Sequence, residues 1–108
     1  METSVLIADD QPIVQEGLRR ILEAERFTVV AEVGDGKQAV QVALDMKPDV
    51  ALIEPGLSRL SGVSGLDAIR LIAQEKQGTR CIAVSASNTR HLLKEALVAG
   101  ACGYVPKS

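Results

Sequence analysis

Short apolar runs alternate along the chain with stretches in which apolar residues recur every three or four positions. Val5-Leu6-Ile7-Ala8 is a continuous apolar run that ends at Asp9-Asp10. Val14, Leu18, Ile21 and Leu22 follow at helical spacing, with Pro12 where a first helical turn tolerates it. A β-branched run from Phe27 to Val33 ends at the loop signal Gly34-Asp35-Gly36. Ala39, Val40, Ala43 and Leu44 predict a second helix, stopped by Lys47-Pro48, and Val50 to Ile53 a third strand. Glu54-Pro55-Gly56 closes that strand, and a loop rich in Ser and Gly runs from Pro55 to about Ser64. Leu66, Ile69, Ile72 and Ala73 predict a third helix, ended by Gly78. Cys81 to Val84 reads as a fourth strand, and Leu92, Leu93, Ala96 and Leu97 as a fourth helix. Gly100 and Gly103 bracket a turn before a last strand at Tyr104-Val105.

The order is βαβαβαβαβ, and the strands are continuously apolar instead of alternating. This predicts an α/β fold, a doubly wound parallel sheet of five strands with helices on both sides and both sheet faces buried. At 108 residues the chain is expected to form one domain. Hydrophobic residues make up 46%, enough for one modest core, and Phe27 and Tyr104 are the only aromatics, so Val, Ile, Leu and Ala must build it. A net charge of -2 with no basic run argues against nucleic-acid binding by this segment itself. Cys81 and Cys102 make neither a disulfide framework nor a metal motif and read as reduced thiols. No signal peptide is recognisable, and no apolar run approaches the roughly 18–20 residues of a membrane span, so the expected location is cytoplasmic. His91, the only histidine, lies in a charged helical stretch and reads as a surface residue.

In an open α/β sheet, ligands bind beyond the carboxyl ends of the strands, where the strand order reverses. Here the first strand ends at Asp9-Asp10, the third at Glu54, the fourth at Ser85-Ala86 and the fifth at Lys107. Each has a bland reading: Asp9-Asp10 as a helix cap, Glu54 as a loop acid, Ser85 as a turn residue, Lys107 as a solvated tail. Their joint placement favours a shared site. Three clustered carboxylates repel unless a cation intervenes, and either Mg²⁺ or Lys107 would supply one.

With these residues in view, the chain resembles the receiver domain of bacterial response regulators, in the LuxR/NarL branch that carries a helix-turn-helix output domain. The matching segments are VLIADDQPIVQEGLRRIL, VVAEVGDGKQAV, KPDVALIE, GLDAIRLI, AVSAS and EALVAGACGYVPKS. The resemblance implies a flavodoxin-like strand order 2-1-3-4-5. It implies a sensor histidine kinase or other signalling protein as partner, with phosphoryl transfer to an Asp that ends strand three. By position, Asp9 and Asp10 resemble the metal pair, with the acceptor-position side chain and Gly56 completing an Mg²⁺ site. Ser85 resembles the switch hydroxyl, Tyr104 the aromatic that reports activation and Lys107 the phosphate-binding lysine. No residue is assigned as catalytic. DNA would be reached only through an output domain beyond this chain; no membrane partner is expected, and a homodimer through the fourth helix and fifth strand is.

Three departures qualify that resemblance. The acceptor position holds Glu54, whose carboxylate reaches about 1.3 Å further than that of Asp, and near-attack geometry does not tolerate an error of about 1 Å. Ordinary phosphorylation is therefore not expected, and a pseudo-receiver that binds partners without it is the alternative function. The loop after Glu54 carries Pro55 beside the acceptor position and, counted to Gly65, is about three residues longer than the family's pattern. The family's usual fifth helix is missing after the last strand, so the chain is expected to be a fragment with apolar surface left uncovered. A phosphatase of the haloacid-dehalogenase type is not expected, because Asp9-Asp10-Gln11 lacks its Asp-x-Asp spacing.

Overall fold

In a computed structural model, which describes residues 2–75, 77–86 and 90–107, the chain alternates strand and helix in the predicted order. The strands are β1 (Ser4–Ala8), β2 (Thr28–Val33), β3 (Val50–Ile53), β4 (Arg80–Ser85) and β5 (Gly103–Pro106). The helices are α1 (Pro12–Ala24), α2 (Gly36–Met46), α3 (Gly65–Gln74) and α4 (Arg90–Ala99). All strand pairs are parallel, and the sheet order is β2-β1-β3-β4-β5. The order reverses at β1 and β3, so their carboxyl ends face one crevice, the place where open α/β sheets hold ligands. Ser87, at the end of the AVSAS segment, and Ser108 lie outside the described residues.

Local chemistry sets the boundaries. Asp35 caps α2 by accepting from the backbone N–H of Gln38, and Lys47 ends it in the left-handed conformation at φ 48°. Ser64 and Asp67 form a reciprocal capping box at the start of α3. Asp9-Asp10 does not cap α1. Its N-cap is Gln11, without a side-chain cap bond, and Pro12 follows at the first turn.

The core forms where β1 and β3 meet the helices. Leu6, Ile7, Ile53 and Ile69 are completely buried, each contributing roughly 1.5–3 kcal/mol. Small residues, Ala39, Ala43, Ala51, Ala68, Ala83 and Ala96, fill the space between strands and helices, in keeping with the scarcity of aromatics. The expectation that every strand is buried on both faces holds for the centre and fails at the edges. β2 and β5 are largely half-buried or exposed because each has a neighbour on one side only. Beside β5 the loss of cover is apolar: α1 buries no residue fully, and Val14, Leu18 and Ile21 line a groove with Val84, Val105 and Pro106.

The two thiols are free, Cys81 buried in the core and Cys102 exposed. Burial, with the charge of Cys102 adding, pushes the Cys81 thiol up from 9.0 to about 12. The folded chain thus holds that proton more tightly than the unfolded chain does. The contribution to stability is complete below pH 9.0 and is lost as pH rises toward about 12. At about pH 8 a thiol reagent is expected to modify Cys102 and spare Cys81, with both reacting after unfolding; two reactive thiols in the native chain would refute this burial.

Candidate functional site

Asp9 directly follows β1, Glu54 directly follows β3, and the two strands are paired, Ala8 opposite Ile53. Backbone bonds hold both ends in place. Glu54 N–H donates to Ala8 O at 2.9 Å, and Asp9 N–H to Val33 O at 3.0 Å. On the other side, Lys107 N–H donates to Ser85 O at 2.9 Å, which fixes the end of β5 to the end of β4. The Lys107 side chain then reaches over these strand ends. Its Nζ lies 2.8 Å from Asp9 Oδ2 and 3.0 Å from Glu54 Oε1, and donates to Gln11 Oε1 at 3.2 Å.

The remaining carboxylate oxygens are also engaged. Asp9 Oδ1 accepts from Gln11 N–H at 2.9 Å, and Glu54 Oε2 accepts from Gly56 N–H at 2.8 Å. Among the described residues, buried Asp9 Oδ2 has only Lys107 for compensation, close as an ion pair but not aligned as a hydrogen bond. The side chains of Lys107, Asp9 and Glu54 are 11%, 2% and 12% exposed, so solvent screens their charges weakly. Burial pulls the Lys107 ammonium toward its neutral form, but the close carboxylates of Asp9 and Glu54 outweigh it, and its pKa is raised above 10.5.

The sequence-derived residues separate into those the fold gathers and those it does not. Asp9, Glu54 and Lys107 form one cluster, with Gly56 in the turn that holds Glu54. Ser85 is buried next to this cluster through its backbone bond to Lys107. Tyr104 is half-buried and packs against the core. Asp10 is exposed. His91 is exposed and pairs with Glu95 on its own helix.

The expected Mg²⁺ set of Asp9, Asp10, Glu54 and Gly56 does not fit as arranged. Among the described residues no group of three or more His, Cys, Asp or Glu is placed to hold a metal ion. The cation between Asp9 and Glu54 is the Lys107 ammonium, whereas Mg²⁺ demands close octahedral oxygens at about 2.0–2.1 Å.

Two contributors were not singled out from the sequence. Gln11 both donates to Asp9 and accepts from Lys107. Gln15 donates its side-chain amide to the carbonyls of Asp9 and Val33, tying α1 to the ends of β1 and β2. The available signal was an amide directly after the acid pair and another one helical turn on.

The loop from Pro55 to Ser64 is built against the body of the domain. Pro55 and Leu57 are buried, a short 3-10 turn spans Arg59–Ser61, and the Ser64 cap leads into α3. Two glycines permit this. A Cβ on Gly65 would lie 2.0 Å from Glu54 O, and one on Gly36 would lie 2.2 Å from Val63 O.

This fold is that of a signalling receiver, and sequence comparison agrees. The response regulator receiver domain profile matches residues 5–108, and the chain belongs to that family. Receiver domains interact with kinases and other signalling proteins and commonly bind Mg²⁺; they are not enzymes of the phosphatase type weighed above. The chain is 38% identical over 104 residues to the transcriptional regulatory protein YdfI of Bacillus subtilis, covering 95% of this chain and 47% of that protein. It is 30% identical over 105 residues to the nitrate/nitrite response regulator protein NarL of Escherichia coli, covering 96% of this chain and 47% of that one. A two-component response regulator of the LuxR family from Aurantimonas superposes with a TM-score of 0.89 at 32% identity, over 100% of this chain and 76% of that one. The chain thus spans about half the length of these curated relatives. No helix among the described residues is long and apolar enough to cross a membrane.

Proposed function

We propose that this chain is the receiver of a LuxR/NarL-type two-component transcriptional regulator that does not accept a phosphoryl group in the ordinary way. Glu54 occupies the position of the acceptor aspartate, and the engagement of both its oxygens carries the reading. One oxygen faces Lys107 and the other accepts from Gly56 N–H, on a side chain that is nearly buried. A phosphoryl acceptor must present a free oxygen in line with phosphorus, at near-attack distance. Here that oxygen is turned into the protein, on a side chain one methylene longer than that of Asp. The same contact supplies a standing negative charge of about -1 beside Lys107, where a phosphoryl group would bring roughly -1.5 to -2.

In this reading the output is DNA binding by a domain beyond this chain. The regulatory names of relatives about twice as long support it. The apolar groove between α1 and β5 would take the family's fifth helix. The partner is a sensor kinase or another signalling protein that reads the Glu54–Lys107 state, and pairing through α4 and β5 would form a homodimer.

Acetyl phosphate with Mg²⁺, read by intact mass, tests the reading on the chain and on Glu54→Asp. The expected result is no phosphoryl adduct on the parent and one on the variant. A stoichiometric adduct on the parent overturns it.

A further inference from the structure

We propose that Lys107 is a built-in counter-cation: held by Asp9, Glu54 and Gln11, its ammonium takes the position a divalent ion needs, and the domain keeps its carboxylate end folded without Mg²⁺. The inference deepens the reading given above and rests on it, since Glu54 supplies one of the oxygens.

Three oxygens lie within 3.2 Å of Nζ, and an ammonium has three N–H bonds to offer. The two nearest, Asp9 Oδ2 and Glu54 Oε1, are carboxylate oxygens, the kind of ligand a hard divalent ion would also take. The other two carboxylate oxygens are held by Gln11 N–H and Gly56 N–H. Each of the four oxygens thus lies beside a positively polarised group of the protein, Asp9 Oδ2 through an ion pair alone. A divalent ion entering here would displace the ammonium, and its double charge would then lie beside the charge of the lysine. Gln11 acts as a positioning residue. It contributes no charge, but its amide oxygen fixes the third direction of the ammonium while its backbone N–H orients Asp9.

The length of Glu54 makes the arrangement work. Its extra methylene lets Oε2 fold back onto Gly56 N–H while Oε1 still meets Lys107. One acceptor-position side chain therefore serves both the loop and the lysine.

The test is a titration with Mn²⁺, a paramagnetic substitute for Mg²⁺, in which loss of the free-ion EPR signal reports binding. The parent chain is expected to show no saturable site up to about 1 mM, within the range of weak divalent sites. Lys107→Met, which vacates the position, is expected to gain one site, at least about tenfold tighter than any in the parent. Gln11→Leu is expected to fall between the two, because the lysine is less firmly held. Saturable binding by the parent overturns the inference. So does a folded Lys107→Met chain that binds no better than the parent, since the lysine would then not be what excludes the ion. If Lys107→Met does not fold, the parent and Gln11→Leu titrations decide in the same way, a Gln11→Leu chain no better than the parent overturning the inference. A parent that binds Mn²⁺ yet takes no phosphoryl group overturns this inference alone. A parent that takes the phosphoryl group overturns the proposed function instead.

Discussion

Lys107→Met is expected to destabilise the domain by about 3 kcal/mol, the lower end of what breaking a buried ion pair costs when one partner is removed. Methionine keeps most of the stem and its packing, so the loss reports the charge. Buried Asp9 Oδ2, with no other compensation among the described residues, then loses the ammonium that lies between it and Glu54. Urea unfolding measures the difference. The double variant Lys107→Met with Glu54→Gln is expected to lose less than the single Lys107→Met, because it removes the repulsion together with the attraction. Additive losses would show that Glu54 and Lys107 are not coupled, and would remove the contact on which the proposed function rests. Lys107→Arg is expected to recover only part of the stability, since a planar guanidinium directs its donors differently from an ammonium set among three oxygens.

The second large effect is expected at Gly65. A methyl group there would lie 2.0 Å from Glu54 O and 2.8 Å from Pro55 Cα, atoms of the backbone that cannot rotate away. Gly65→Ala should therefore move either the start of α3 or the turn after β3, at a cost of about 2 kcal/mol. For a domain of this size that lowers the melting temperature by roughly 10 °C. The turn it would move is the one whose Gly56 N–H holds Glu54. The variant should thus also disturb the Lys107 contact, and adding Lys107→Met to it should cost less than in the parent. A thermal melt unchanged by Gly65→Ala would show that the loop yields freely and does not buttress the site.

The elements most readable from the sequence are those whose signals are local. β3 was legible as Val50 to Ile53 because it is short, apolar and ended by Pro55-Gly56, and the structure gives the same bounds. β1 and β4 gained a polar residue at one or both ends, Ser4 and then Arg80 and Ser85, because backbone pairing extends past the apolar run. The loop after Glu54 was less legible. Its Ser and Gly residues read as solvated chain, but Pro55 and Leu57 are buried and two glycines let its backbone press against Glu54 and the start of α2. Such close approaches depend on segments far apart in sequence, and composition does not encode them.

The sequence by itself determined the parallel α/β architecture, since apolar runs without alternation require a sheet covered on both faces. It also placed an acid or a base directly after three of the five strands, Asp9, Glu54 and Lys107. Which of those groups meet was decided only by the tertiary structure. Strand order made Asp9 and Glu54 neighbours, and the bond between β4 and β5 brought Lys107, from the far end of the chain, to lie between them. Asp10, equally acidic and adjacent in sequence, was left exposed, while Gln11 became a partner of the lysine. Side-chain direction and reach at a strand end depend on how the next segment leaves the sheet, and that follows from packing across the whole domain.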